Sequence, residues 1–259
     1  MKADAALIRR IEQSEAENLS RCLGPAPAEY RRIAGGVAGF RGDGDFCTQT
    51  VAIGVDGAMT EADWRTLDEF YAGKCTAYEF KLSPLSDAAD RRRIVLRATD
   101  ITEFETILVR SLADVPALAD VVIEPIPTDM YRAYMDRAAA WFFPGMDHAA
   151  LGDSIYASIV ASEASLFGIR DGDQWVAGAA LTIANGVAWL TGGAVDPEYR
   201  RRGYHRALIA YRLREAARRG ADIAAQGALA GSVSQTNAQS NGFSIAFTRT
   251  SYLLPGEPA

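Results

Sequence analysis

The chain has 259 residues, 49% apolar and 23% charged, an ordinary mixture for a soluble globular protein of one large or two modest domains. Its net charge of −6 has the wrong sign for a general nucleic-acid binder, and no apolar run reaches the ~20 residues that a membrane-spanning helix needs. Cys22, Cys47 and Cys75 lie far apart and His148 and His205 are the two histidines, so neither a disulfide framework nor a metal site is expected. Met1-Lys2-Ala3-Asp4 leads into a charged helical pattern without the apolar core of a signal peptide, and a cytoplasmic location is the expectation.

Ala5 to Cys22 reads as an amphipathic helix, with Leu7, Ile8, Ile11 and Leu19 on its apolar side and Gly24-Pro25 closing it. Tyr30 to Phe40 and Cys47 to Val55 read as strands around the turn-rich Arg41–Asp45. Thr60 caps a helix whose first turn holds Glu61 and Asp63 and whose stripe is Trp64, Leu67, Phe70 and Tyr71. A strand over Thr76–Leu82, a helix over Ser86–Leu96 and a strand over Phe104–Leu112 complete this half. Pro116, Pro125 and Pro127 mark the looser stretch where the domains are expected to divide, into 1–115 and 116–259.

In the second half, Thr128 or Asp129 is expected to cap a helix holding Tyr131, Tyr134, Ala138 and Trp141, which Pro144-Gly145 breaks. A further helix spans His148 to Ser162. Ser165–Arg170, Gln174–Ile183 and Val187–Val195 then form an antiparallel meander. Asp171-Gly172-Asp173 makes its first turn, and Asn185-Gly186, suited to a type I′ turn, its second. Gly203 to Arg219 is helical, with Ile209, Leu213 and Ala216 on one face and arginines on the other. Gly220 is its C-terminal cap, and a strand over Ala221–Gln226 closes a βαβ crossover. A short helix over Ser234–Asn241 and a strand over Phe243–Leu254 end the pattern. Val55-Asp56-Gly57 and Val195-Asp196-Pro197 each follow a strand and precede helix, strand, short helix and strand, which suggests an internal repeat. The fold class is therefore α/β, an α+β mixed sheet.

Asp196 to Arg219 carries eight arginines and three acids inside an acidic chain. The positive charge gathers where a strand ends and a helix begins. The first helical amides there have no intrahelical acceptor, and the helix dipole adds to the field. Gly203 permits close approach, so Arg200, Arg201, Arg202, Gly203, Tyr204, His205 and Arg206 read as a phosphate or pyrophosphate site. Neither Gly-x-Gly-x-x-Gly nor Gly-x-x-x-x-Gly-Lys-Ser/Thr occurs, so neither a Rossmann site nor a P-loop accounts for it.

Val195-Asp196-Pro197-Glu198-Tyr199-Arg200-Arg201-Arg202-Gly203-Tyr204-His205-Arg206-Ala207-Leu208 resembles motif A of the GNAT superfamily of N-acetyltransferases, Gln/Arg-x-x-Gly-x-Gly/Ala. His205 departs from it, since the family has a small residue there. Gly231 to Phe243 resembles the family's fourth-helix region, and the resemblance covers roughly residues 121 to 254. It implies a tandem GNAT-like acyl-CoA N-acyltransferase fold, with acetyl-CoA as cosubstrate. It implies that the pantetheine arm lies against Gly193, Ala194 and Val195, where Gly192-Gly193 suggests a bulge, and that Asn237 faces that arm. A backbone amide there would polarise the thioester carbonyl. The first half has Gly57-Ala58-Met59-Thr60-Glu61-Ala62-Asp63 at the corresponding place, with acids and no arginine, and is expected to be a degenerate domain that does not bind CoA.

The implied reaction is direct attack of an amine on the thioester in a ternary complex. The family often uses a tyrosine to protonate the thiolate. Several relatives would place it near Phe247, which carries no proton, and Ser234 and Tyr252 are the substitutes. A small-molecule amine is the expected acceptor. Nucleic acid and membrane are not expected as partners, and a homodimer stays open. The alternatives are a non-catalytic CoA-binding or acyl-CoA-sensing protein, a longer acyl chain, and a purely structural tandem module.

Overall fold

The computed structural model describes residues 3–24, 28–117, 120–142 and 148–257. The expected features at Met1-Lys2, Pro25 and Pro144-Gly145 lie outside them. Asp4 opens α1 (Ala5–Leu23), its carboxylate accepting the Leu7 amide at 2.9 Å. There follow β1 (Glu29–Ile33), β2 (Gly36–Phe40), β3 (Gln49–Val51), α2 (Glu61–Tyr71), β4 (Ala77–Leu82), α3 (Ala88–Arg97) and β5 (Asp100–Ser111). The second half runs through β6 (Glu124–Pro125), α4 (Tyr131–Phe142), α5 (His148–Ala161), β7 (Ser165–Asp171), β8 (Gln174–Ala184), β9 (Val187–Val195), α6 (Tyr204–Arg218), β10 (Ile223–Leu229), α7 (Val233–Ser240) and β11 (Ser244–Pro255).

The differences from the sequence reading lie where apolar residues hide a turn. Tyr30–Phe40 is not one strand but a hairpin, turned at Ala34 (φ 45°) and Gly35 (φ 84°). Val55-Asp56-Gly57 does not end a strand: β3 stops at Val51, because Ala52 (φ 59°) and Gly54 (φ 75°) leave the extended region. Ala52, Ile53 and Val55 are nonetheless buried, so the segment carries the composition of a strand. Neither Thr128 nor Asp129 caps α4. Both belong to a 3₁₀ turn, Thr128–Met130, that precedes it without a side-chain cap. Asn185 (φ 52°) and Gly186 (φ 73°) make the β8–β9 turn with the two positive φ values that type I′ requires.

The chain divides into two compact units. One takes the residues up to Ile107 together with Ala228–Ala230 and the segment from Ile245. The other takes Leu108–Gly227 and Gly231–Ser244. These units differ from a division at residue 115, because the C-terminal strand belongs with the first half. The N-terminal unit orders its strands β1-β2-β3-β4-β11-β5, with β11 antiparallel to β4 from Thr250↔Leu82 to Pro255↔Ala77. Its core is built on Trp64, Leu67, Phe70, Tyr71, Tyr78, Phe80 and Ile94. The C-terminal unit orders β10-β9-β8-β7-β6. Its β9 and β10 run parallel, as the crossover through α6 demands, and β7, β8 and β9 form the meander. No helix among the described residues is long and apolar enough to cross a membrane.

The N-terminal unit also buries charge. Lys81 Nζ lies 3.1 Å from Glu15 Oε1, and Arg249, 1% exposed, reaches Glu15 Oε2 at 2.6 Å and Glu105 Oε2 at 2.7 Å. Glu12 sits beside them, and burial pushes its carboxyl up to about 7 against the opposing pull of Ser83 and Arg249. A carboxyl raised on folding contributes stability that is fully present below its unfolded value and is lost as pH rises through about 7. Glu12→Gln fixes the neutral state. Its melting temperature is therefore expected to match wild type near pH ~4 and to exceed it by several degrees near pH ~8. Equal melting temperatures near pH ~8 would contradict this.

Candidate functional site

The site begins where a strand leaves its ladder. In the β8–β9 pairing Gly178 faces Ala194 and Ala180 faces Thr191, so Gly192 and Gly193 together oppose Ala179. This is the bulge expected from the double glycine, and Gly192 takes φ 57° to make it. On the other side, β9 pairs with β10 only over Val187–Trp189 and Ile223–Ala225. Beyond Trp189 the two parallel strands part, leaving the β9 edge from Gly193 to Val195 without a strand beside it.

Next in the chain the backbone turns into α6. Asp196 ends β9 and is held by its amide on Val176 O at 2.9 Å and by Arg137 at 3.3 Å. Arg201 (φ 64°) and Gly203 (φ 80°) both lie in the left-handed region, an uncommon state for an arginine. The first intrahelical bond of α6 is Ala207 N–H to Gly203 O at 3.0 Å, and no side chain caps the helix. The amides before Ala207 therefore present unanswered donors at the positive end of the helix dipole.

These two features open onto one cleft of about 710 Å³. Of the residues singled out in the sequence, Gly193, Ala194, Val195, Arg200, Arg201, Gly203, Tyr204, His205, Arg206, Ser234 and Asn237 line it. Arg202 does not; it stacks on Tyr199, 4.6 Å from the ring centre. Tyr252 does not either. It sits opposite Phe80 on β4 and packs against the core of the N-terminal unit, as the strand register of β11 dictates. Phe247, also on β11, is buried. Arg200 folds back, donating to Val195 O at 3.3 Å and Trp141 O at 3.4 Å. Arg218 and Arg219 are spent on Glu215, so the local excess of positive charge sits at the start of α6.

His205 turns toward β9 and α7. Its Nδ1 lies 3.1 Å from Asn237 Nδ2, and its Nε2 lies 3.0 Å from where a Cβ on Gly193 would stand. The ring thus fills the space between β9 and α7. With the Asn237 amide donating, Nδ1 accepts and the ring proton stays on Nε2. Burial first, then the charge of Arg212, pushes the imidazole down to about 4, so it is neutral at physiological pH. From the neighbouring turn of α7, capped by Ser232, Ser234 also faces the cleft. Gln226 on β10 donates to Ser234 Oγ at 2.9 Å, which leaves the hydroxyl hydrogen available.

Sequence reasoning missed Tyr199 and Val233 in the lining, and Arg212 and Gln226 behind it; Trp141, read first as a core residue, lines the cleft as well. Arg212 was grouped with the solvated arginines of α6, yet it shares a face with Leu208 and Ala216 at four-residue spacing and is 1% exposed. That spacing was the available signal. Gln226, in an apolar strand, gave none.

The corresponding helix start in the N-terminal unit is already occupied. Thr60 and Asp63 form a complete capping box on α2. The buried carboxylate of Asp90 accepts the Met59 amide at 2.8 Å and the Trp64 indole N–H at 3.3 Å. Two carboxylates thus stand at this helix start, Asp63 on the Thr60 amide and Asp90 on the Met59 amide, where a pyrophosphate would meet like charge.

Residues 129–243, which span the meander, the turn and α7, match the family described as Acetyltransferase (GNAT) family. This segment is similar to that family, and the match covers less than half of the chain. No curated relative matches the chain. Among solved structures, a GCN5-related N-acetyltransferase from Kribbella flavida is 18% identical with TM-score 0.65, covering 98% of this chain and 96% of its own. A tandem GNAT protein from the clavulanic acid biosynthesis pathway is 14% identical with TM-score 0.63, covering 92% and 86%. An acetyltransferase of the GNAT family from Novosphingobium aromaticivorans is 18% identical with TM-score 0.60, covering 96% and 99%. At such identities the likeness is one of fold, and the fold is the tandem GNAT fold. The parted strands, the bulge and the uncapped helix start all lie within the matched segment.

Proposed function

We propose that the chain is an acetyl-CoA-dependent N-acetyltransferase acting on a small-molecule amine, with the C-terminal unit as the catalytic one and the N-terminal unit a degenerate partner that does not bind CoA. The observation that carries this reading is the uncapped start of α6 opening into the same cleft as the unpaired β9 edge. A pyrophosphate fits the first, with the unanswered amides and Arg201 and Arg206 around it. An extended amide-bearing arm fits the second, because Gly193 to Val195 have no strand beside them on the side away from β8.

In the reaction, the amine attacks the thioester carbonyl held at the bulge, and the backbone there stabilises the developing oxyanion. Ser234, its oxygen accepting from Gln226, donates a hydrogen bond to the departing sulfur, which takes its proton from water. Among the described residues of the lining none is a carboxylate, and His205 is held neutral on Asn237, so we assign proton removal from the amine to water. Ser234→Ala is expected to lower kcat about tenfold with little change in KM for acetyl-CoA, read by release of thiol. An unchanged kcat would remove Ser234 from the mechanism.

The same lining favours a second reading, an acyl-CoA-binding protein without turnover, because among its described residues none is an acid or a charged base suited to take the amine proton. A panel of amines assayed for thiol release from acetyl-CoA separates the two. Release with any amine supports the transferase, and binding without release with all of them supports the sensor.

A further inference from the structure

Arg212 carries a buried charge that no acid among the described residues answers. Its Nε donates to Leu208 O at 3.1 Å, its Nη1 to Ala180 O at 2.8 Å and to Thr191 O at 3.0 Å, and its Nη2 makes no hydrogen bond among the described residues. Burying a guanidinium against carbonyls alone is costly, and burial pushes Arg212 down to about 9. A leucine at this position would continue the apolar face of α6 without that cost. What the guanidinium does that a leucine cannot is visible in its partners. Ala180 and Thr191 are paired in register on the last rung of the β8–β9 ladder before the bulge. One nitrogen bridges the two strands on that rung. Nη2 then reaches to 3.6 Å from where a Cβ on Gly193 would stand, on the side of Gly193 that also meets His205.

We propose that Arg212 is a positioning residue for the acyl-CoA site: by bridging Ala180 and Thr191 it fixes the Gly192-Gly193 bulge and so holds the Gly193–Val195 edge in place for the ligand. The proposal rests on the reading of the cleft as an acyl-CoA site. At Thr191 the β9 edge has already left β10, since their pairing ends at Trp189, so α6 supplies the fixing contact from below the sheet. His205 comes from the same helix two turns earlier, which ties the bulge, the imidazole and Asn237 into one unit.

Two variants of the full chain test it, Arg212→Met, which keeps bulk without donors, and Arg212→Lys, which keeps charge and one donor head. Without ligand, hydrogen exchange of Thr191–Val195 is expected to accelerate roughly tenfold in Arg212→Met and less in Arg212→Lys. Val187–Trp189, held by β10, should exchange as in wild type. KM for acetyl-CoA is expected to rise roughly tenfold in Arg212→Met with kcat within about threefold, and Arg212→Lys should recover part of the loss. Wild-type exchange over Thr191–Val195 in Arg212→Met, or an unchanged KM, would overturn the proposal. If Arg212→Met does not fold, Arg212→Lys decides by the same exchange readout. A wild-type chain that shows no binding of acetyl-CoA while the variants still loosen Thr191–Val195 would sink the site reading and leave the clamp standing.

Discussion

Gly203→Glu is expected to weaken acetyl-CoA binding about 100-fold while the chain stays folded. No atom lies within 4 Å of where a Cβ on Gly203 would stand, so the new side chain has room. The cost to folding comes from φ 80°, which a non-glycine residue holds at about 1–2 kcal/mol. Part of that is offset, because a carboxylate at the start of α6 suits the helix dipole and caps open amides. The substitution therefore does to α6 what Thr60, Asp63 and Asp90 already do around α2. The ligand loses charge-assisted hydrogen bonds of about 1.5–3 kcal/mol each and meets a like charge. Gly203→Ala, which carries the φ cost alone, should weaken binding no more than about tenfold. Calorimetric titration of both variants checks this, and equal affinities for Gly203→Glu and wild type would remove the phosphates from this turn.

Arg249→Ala is expected to destabilise the protein by about 3–5 kcal/mol, the largest stability effect of a single polar substitution here. The side chain is 1% exposed and answers Glu15 and Glu105 at once. Removing it leaves both carboxylates buried beside Glu12, whose own carboxyl burial has already raised. Burial pushes the Glu15 carboxyl up, but Arg249 first and then Lys81 outweigh it and hold Glu15 well below the usual carboxylate range. In the variant that pull is lost, so the deficit should shrink as pH falls and the carboxyls protonate. Urea unfolding at two pH values reads both effects. A loss that is small, or the same at both, would show that the cluster contributes little through charge.

How much of this was legible in the sequence follows from which interactions are local. Asn185-Gly186, Thr60 with Asp63, and Gly220 after α6 specify their turns and caps through their own backbones, and each was read correctly. The arginine–glycine turn was legible because it joins charge, glycine and a strand–helix junction within a few residues. The double glycine announced the bulge. What stayed hidden was set by distant partners. Nothing in Ser244–Pro255 shows that this strand joins the N-terminal unit, and that membership is what removes Tyr252 from the cleft. Nothing near His205 shows that its ring turns away from the helix start toward Gly193 and Asn237. Arg212 looks like its solvated neighbours until its spacing from Leu208 and Ala216 is taken seriously.

The central claim is that one acyl-CoA lies along β9 and the start of α6, and nowhere in the N-terminal unit. Hydrogen exchange of the full chain with and without acetyl-CoA tests it most directly. Slower exchange at Tyr204–Arg206 and Gly193–Val195, with Glu61–Asp63 unchanged, is the predicted result. Protection at Glu61–Asp63, or none at Tyr204–Arg206 under saturating acetyl-CoA, would contradict it.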